Sequence, residues 1–98
     1  MCRINVRTHL HSSCLLTIDK GDALRKTLLT HLDHLETCIV DFSDIDYFSP
    51  IFWKNSYVEL ANQLNYSFEQ MQEKLILEGL SENEINFIKN EITAKQHA

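Results

Sequence analysis

Apolar and polar residues follow several different periods along this chain, which predicts a protein that mixes strands with helices. Residues 2–10 alternate with a period of two, and residues 14–18 form a short apolar run after a polar turn. This pattern predicts two strands joined as a hairpin. Residues 37–42 (TCIVDF) and 74–77 (KLIL) are short runs rich in aliphatic residues, typical of buried strands.

Leucines and other apolar residues recur at helical spacing between these strands. From residue 23 to about residue 35 the leucines at 24, 28, 32 and 35 predict one amphipathic helix, with Asp19-Lys20-Gly21-Asp22 ending the strand before it. Ser49 followed by Pro50 is typical of an N-cap and a first helical residue, which predicts a helix over residues 50–64.

The last third of the chain predicts a short helical turn, a strand and a final helix. Residues 67–72 favour the turn, and Gly79 follows the 74–77 strand. Ser81 and Glu84 have the spacing of a capping box, which predicts a helix from residue 82 to about residue 94. The order β-β-α-β-α-β-α predicts an α/β fold: one domain over residues 1–98 with a small mixed four-stranded sheet and helices packed on it.

The charge and the cysteines narrow the classes of function. Nine basic and 14 acidic residues give a net charge of −5, and the basic residues are scattered, so we expect no binding to nucleic acid. No apolar run suits a membrane span or a secretory signal. Cys2, Cys14 and Cys38 do not have the spacing of a disulfide framework, so we expect a reduced, cytoplasmic protein without a cofactor.

Three segments in this order resemble the STAS-like domain of unknown function, which is related to the STAS domains of anti-sigma factor antagonists. The segments are GDALRKTLLTHLDHL (21–35), IVDFSDIDYFSPIF (39–52) and KLILEGLSENEINFIKNEI (74–92). The second resembles the family's passage from a strand that ends in Asp-Phe-Ser to a serine-capped helix. The resemblance covers about residues 15–93 and implies a STAS-like fold.

The resemblance also implies regulation by binding to another protein, without enzymatic activity. STAS domains of this class dock on histidine-kinase-like ATPases through the surface between this strand and helix, here residues 43–57. Relatives that are switched by phosphorylation carry a serine where this chain has Pro50, so we expect binding without a phosphoserine switch. The expected contact residues are Ser43, Asp44, Asp46, Tyr47, Ser49, Phe52, Trp53, Lys54 and Tyr57. Among them we expect Trp53 to be exposed.

Other functions stay open at this point. The chain is also consistent with a small inhibitor or adaptor, for example one encoded by a mobile element, that blocks a host protein complex. His31, His34 and Cys38 are a weaker metal-binding alternative, because zinc needs three or four converging ligands. The acids Asp41, Asp44 and Asp46 offer little for catalysis, and an uncovered edge strand would permit a homodimer.

Overall fold

The computed structural model describes residues 2–34 and 37–96, and it is a mixed α/β protein as the sequence predicts. None of the helices within these ranges has the length and the apolar character needed to cross a membrane. In chain order the elements are β1 (Cys2–Asn5), α1 (Val6–Leu10), β2 (Cys14–Leu15), α2 (Ile18–Asp33), β3 (Cys38–Asp41), β4 (Tyr47–Phe48), α3 (Pro50–Asn55), α4 (Tyr57–Leu64), α5 (Phe68–Lys74), β5 (Leu75–Glu78) and α6 (Glu82–Gln96).

The main sheet is parallel and has the order β1-β3-β5. Each connection between its strands contains helices and one strand of a second sheet. Right-handed crossovers place such helices on one face of a sheet. Ile4, Val40 and Leu75 are buried, whereas Arg3 and Glu78 on alternate positions are exposed. One face of the sheet therefore lies in the core, and the other carries the charged Arg3 and Glu78 together with the half-buried Ile39 and Ile76.

The predicted hairpin and the single four-stranded mixed sheet are wrong. The structure instead pairs β2 with β4, in parallel, as a separate two-stranded sheet. The chain leaves β1 at Asn5, whose side-chain oxygen accepts a hydrogen bond from the Thr8 backbone N–H at 2.9 Å and caps α1. Val6 and Leu10 are four residues apart, so they satisfy a helical period as well as a period of two.

The helix α2 begins five residues earlier than predicted. Thr17 is its N-cap, and the Thr17 hydroxyl accepts a hydrogen bond from the Lys20 backbone N–H. Gly21 does not end the preceding strand; it lies in the first turns of α2 and is buried against α3, where an added Cβ would lie 3.1 Å from the Phe52 carbonyl oxygen. Leu24 and Leu28 are buried as predicted, and the predicted end near residue 35 lies outside the described residues.

The predicted helix over residues 50–64 is divided into α3 and α4 at Ser56. The Ser56 hydroxyl donates to the Phe52 carbonyl oxygen at 2.8 Å, and Ser56 is fully buried. A serine that bonds back to a carbonyl four residues earlier competes with the helical backbone and is a frequent site of bending. The break turns the two short helices relative to each other, so both bury apolar side chains.

The strand β3 and the C-terminal elements agree with the sequence. The predicted turn over residues 67–72 is the helix α5, and β5 begins one residue later than predicted. Ser81 and Glu84 exchange hydrogen bonds of 2.9 and 3.2 Å, which confirms the capping box at α6. Ile88 and Ile92 are buried where α6 packs against α4 and α5.

Candidate functional site

Aromatic residues around α3 form a cluster of four rings, of which three are buried and Phe48 is half-buried. Trp53 stacks on Phe48 with a centroid distance of 4.8 Å and meets Phe42 edge to face at 4.9 Å. Phe52 completes the cluster, 5.1 Å from Trp53. Trp53 is only 3% exposed and Phe52 is fully buried. The expected exposure of Trp53 is therefore wrong, because its ring fills the space between β3, β4 and α3.

Tyr57 also belongs to the core. It is fully buried, and its hydroxyl donates to the Leu75 carbonyl oxygen at 2.7 Å. Burial raises the pKa of Tyr57 far above its usual value, so the hydroxyl stays protonated and keeps donating. A partner would find almost no contact area on Phe52, Trp53 and Tyr57. Although they are among the predicted contact residues, these three side chains support the fold from inside.

The outer side of the same region exposes apolar side chains. The exposed fractions are 64% for Tyr47, 46% for Ile51, 48% for Leu16 and 50% for Ile18. Single exposed apolar residues are common on proteins, but a group at one place marks an interaction site more often. We call these four residues together with Ser49 the Ser49 surface.

Ser49 joins two segments of this surface by hydrogen bonds. Its hydroxyl accepts a hydrogen bond from the Phe52 backbone N–H and donates to the Leu16 carbonyl oxygen, both at 3.2 Å. The Ser49 backbone N–H donates to the Leu15 carbonyl oxygen at 3.1 Å. At the other end of α3, the Asn55 side chain donates to the Ile18 carbonyl oxygen at 2.9 Å. These contacts place Leu16, just before α2, beside the start of α3 and the first residue of α2 beside the end of α3. They also confirm the N-cap predicted at Ser49.

An open groove of about 440 Å³ adjoins the Ser49 surface. One wall is formed by β4 and the start of α3, and the other by the first turns of α6. Trp53 of the aromatic cluster also lines the groove. The lining residues are Asp46, Tyr47, Phe48, Ser49, Pro50, Trp53, Asn83, Glu84 and Phe87. The groove is thus mostly apolar, with acidic side chains from both walls and no basic residue among those that line it.

The loop between β3 and β4 is shaped by Asp41. Asp41 Oδ1 accepts hydrogen bonds from the Ser43 hydroxyl at 2.6 Å and from the Ser43 backbone N–H at 2.9 Å. Arg3 lies 3.1 Å from Asp41 Oδ2 and also 3.1 Å from a carboxylate oxygen of Glu78. The bonds from Ser43, followed by Arg3, lower the pKa of Asp41. Asp41 therefore has a structural role in this turn.

The remaining predicted contact residues are at the surface. Ser43, Asp44, Asp46 and Lys54 are exposed. Asp44 has a backbone φ of 64°, in the left-handed region that aspartate tolerates in turns. The structure thus brings Asp46, Tyr47 and Ser49 together at the groove, while Ser43 bonds to Asp41.

Of the predicted metal ligands, His31 and Cys38 lie close together in the structure and His34 does not. Within residues 2–34 and 37–96, the potential ligands that converge are Cys2, His31 and Cys38. His34 is exposed at the end of α2 and is not a member of the group. Asp41, Asp44 and Asp46 form no such group among the described residues either.

Several residues of the Ser49 surface and the groove could not be identified as site residues from the sequence. Leu16 and Ile18 belong to a run that predicts a strand, and only the pairing of β2 with β4 places them beside α3. Asn83, Glu84 and Phe87 come from α6, more than 30 residues away in the chain. Phe87 follows Glu84 by three positions, so it lies on the same helical face, which is the one available signal.

The chain matches no protein-family model, no curated protein and no solved structure. The fold and the surface together define a mixed α/β protein with an apolar, acidic groove beside a serine-capped helix.

Proposed function

We propose that this chain is a non-enzymatic regulatory module of STAS-like type that binds another protein through the Ser49 surface and the adjoining groove. The observation that carries the proposal is the group of exposed apolar side chains around Ser49, at the strand-to-helix position where STAS domains dock. The partner that the resemblance favours is a histidine-kinase-like ATPase. Binding would regulate that partner by occlusion or sequestration, in the cytoplasm.

The charge of the groove favours a partner segment that is apolar and basic. Asp46 and Glu84 line opposite walls, and the chain as a whole has a net charge of −5. Complementary charge at the rim speeds association and selects the orientation of a partner, while apolar side chains supply the contact area. Tyr47 has the size and the polar tip that are frequent in binding hot spots.

Binding without a phosphoserine switch is part of the proposal. Pro50 occupies the position of the switch serine, and the Ser49 hydroxyl already accepts one hydrogen bond and donates another. A phosphate on Ser49 would remove the proton that this hydroxyl donates to Leu16. It would also break the local packing, so modification here would disrupt the surface instead of tuning it.

Capture of the partner from cells of the source, with identification by mass spectrometry, tests this function. The informative variant is Ile51→Asp, which places a charge in the Ser49 surface. Its matched control is Leu29→Asp, because Leu29 is a similarly exposed apolar residue on α2. It lies about 16 Å along that helix from Ile18.

We expect the native chain and Leu29→Asp to retain the ATPase, and Ile51→Asp to lose it, with all three melting at similar temperatures. Equal capture by both variants would disprove the location of the surface. Recovery of a host complex without an ATPase would favour an inhibitor or adaptor instead.

A further inference from the structure

Two cysteines and a histidine meet at the edge of the parallel sheet, away from the Ser49 surface. Cys2 on β1 is the direct partner of Cys38 on β3, with their Cα atoms 4.4 Å apart, and the two sulfurs are joined as a disulfide. This differs from the reduced cysteines that the sequence predicts, because the pairing of β1 with β3 brings together two cysteines that lie 36 positions apart. The His31 Nδ1 atom lies 3.6 Å from Cys2 Sγ. All three potential ligand atoms are within 4.8 Å of one another.

The separation of His31 Nδ1 from Cys2 Sγ agrees with two ligands of a tetrahedral zinc ion. Zinc binds sulfur at about 2.3 Å and imidazole nitrogen at about 2.0–2.1 Å, so tetrahedral angles place the two ligand atoms about 3.6 Å apart. The observed separation of His31 Nδ1 from Cys2 Sγ is 3.6 Å. Two thiolates on the same ion lie about 3.8 Å apart. Reduction of the disulfide breaks the S–S bond and leaves each sulfur able to move by rotation about its Cα–Cβ bond.

The surroundings favour a cation over a bare thiolate pair. His31 lies in the last turn of α2, whose C-terminal end carries a partial negative charge. That field stabilises a divalent cation and opposes an unpaired thiolate anion. Cys38 is buried while Cys2 and His31 are half-buried, so one side of the group is open to solvent.

We propose that the reduced form of this group is a Zn²⁺ site with Cys2 Sγ, Cys38 Sγ and His31 Nδ1 as ligands and water at the fourth position. Binding displaces the two thiol protons, and the imidazole takes part as the neutral ring protonated on Nε2. The bound ion would crosslink the edge strand β1, the strand β3 and the end of α2. The disulfide and the metal-bound form exclude each other, because both use the same two sulfur atoms.

Cobalt titration of reduced, metal-free protein tests the site. A water-soluble phosphine reduces the disulfide: the sulfurs gain two electrons and two protons, and the phosphine takes an oxygen from water. Co²⁺ is then added. We expect one equivalent to bind, with a thiolate-to-cobalt charge-transfer band and the visible bands of tetrahedral cobalt. Zn²⁺ should abolish both signals by displacement and raise the melting temperature of the reduced protein.

Ligand variants and matched controls decide the assignment. Cys2→Ser and His31→Ala should each weaken Co²⁺ binding more than tenfold, since loss of an outer partner of a metal ligand alone costs ~10–100-fold. Cys14→Ser and His34→Ala should bind as the native chain does, because Cys14 is an exposed free thiol and His34 lies outside the group. Circular dichroism of the metal-free proteins checks that each variant is folded.

Three results would overturn the proposal. The first is a reduced native protein that shows no cobalt–thiolate band at micromolar metal. The second is a band that survives in both Cys2→Ser and His31→Ala. The third is equal binding before and after reduction, which would show that the sulfurs of Cys2 and Cys38 are not ligands.

Discussion

The two sides of α3 differ sharply although they are adjacent in the chain. Phe52 and Trp53 are packed into the aromatic cluster, whereas Ile51 and Lys54, one residue to either side, are exposed. The inner side stabilises the fold, and the outer side offers contact area to a partner. An aromatic-rich segment therefore indicates an interface only after the direction of each side chain is known, because the large rings here are the supporting layer.

The largest expected effect is the difference in stability between the variants Phe52→Ala and Ile51→Ala. Phe52→Ala should lower the free energy of unfolding by about 3–5 kcal/mol, because the fully buried Phe52 ring would leave a cavity. Ile51→Ala should change it by less than about 0.5 kcal/mol. Chemical denaturation measures both values. If the two variants lost similar stability, the distinction between the inner and outer sides of α3 would be lost.

A smaller effect is expected where α2 holds the end of α3. Arg25 donates to the Asn55 carbonyl oxygen at 2.6 Å and pairs with Asp22 at 2.7 Å. Arg25→Ala should cost about 2 kcal/mol, since it removes a charged hydrogen bond to a helix end. Lys26→Ala is the control, because Lys26 is exposed on the same helix. Denaturation midpoints compare them, and equal midpoints would contradict the role of Arg25.

Ser49→Ala tests the boundary between the two sides. It should cost about 1 kcal/mol, because the N-cap bond to Phe52 and the bond to Leu16 are lost. Ser67→Ala removes the N-cap of α5 and should cost about as much. Only Ser49→Ala should also weaken partner capture, because only Ser49 lies in the surface. An equal loss of capture in both variants would show a general effect of stability.

The smallest effect concerns the loop that leads to the Ser49 surface. The pKa of Asp41 is lower in the folded chain than in the unfolded chain, where it is about 3.9. The charged form therefore stabilises the fold above about pH 4, and this contribution is lost as the pH falls through the folded pKa. The difference in melting temperature between the native chain and Asp41→Asn should shrink below pH 4. A constant difference from pH 7 to pH 2 would contradict the shift.

Sequence patterns predicted the elements whose signals are local. Ser49-Pro50 and Ser81 with Glu84 are caps that act within one turn of helix, and both are present as predicted. The buried strand at residues 38–41 also lies where its aliphatic run predicts it. Caps depend on hydrogen bonds between neighbours in the chain, so they can be read without knowing the fold.

Where one local sequence pattern fits two different structures, the sequence alone predicts the wrong one. Val6 and Leu10 fit a strand and a helix equally well, and the Asn5 cap decides for the helix. Gly21 reads as a breaker, yet it permits close contact between α2 and α3. Trp53 reads as an exposed anchor, yet the rings of Phe42 and Phe48 enclose it.

The sequence by itself determined that this protein is α/β, that Ser49 and Ser81 cap helices, and that the aliphatic runs near residues 38–41 and 75–78 form strands. Only the tertiary structure decided which strands pair, which aromatic rings are buried, and that Cys2, His31 and Cys38 meet. The physical reason is the distance along the chain between the residues that interact. Periodicity and capping act over a few residues, whereas strand register, ring packing and ligand convergence depend on contacts between residues tens of positions apart.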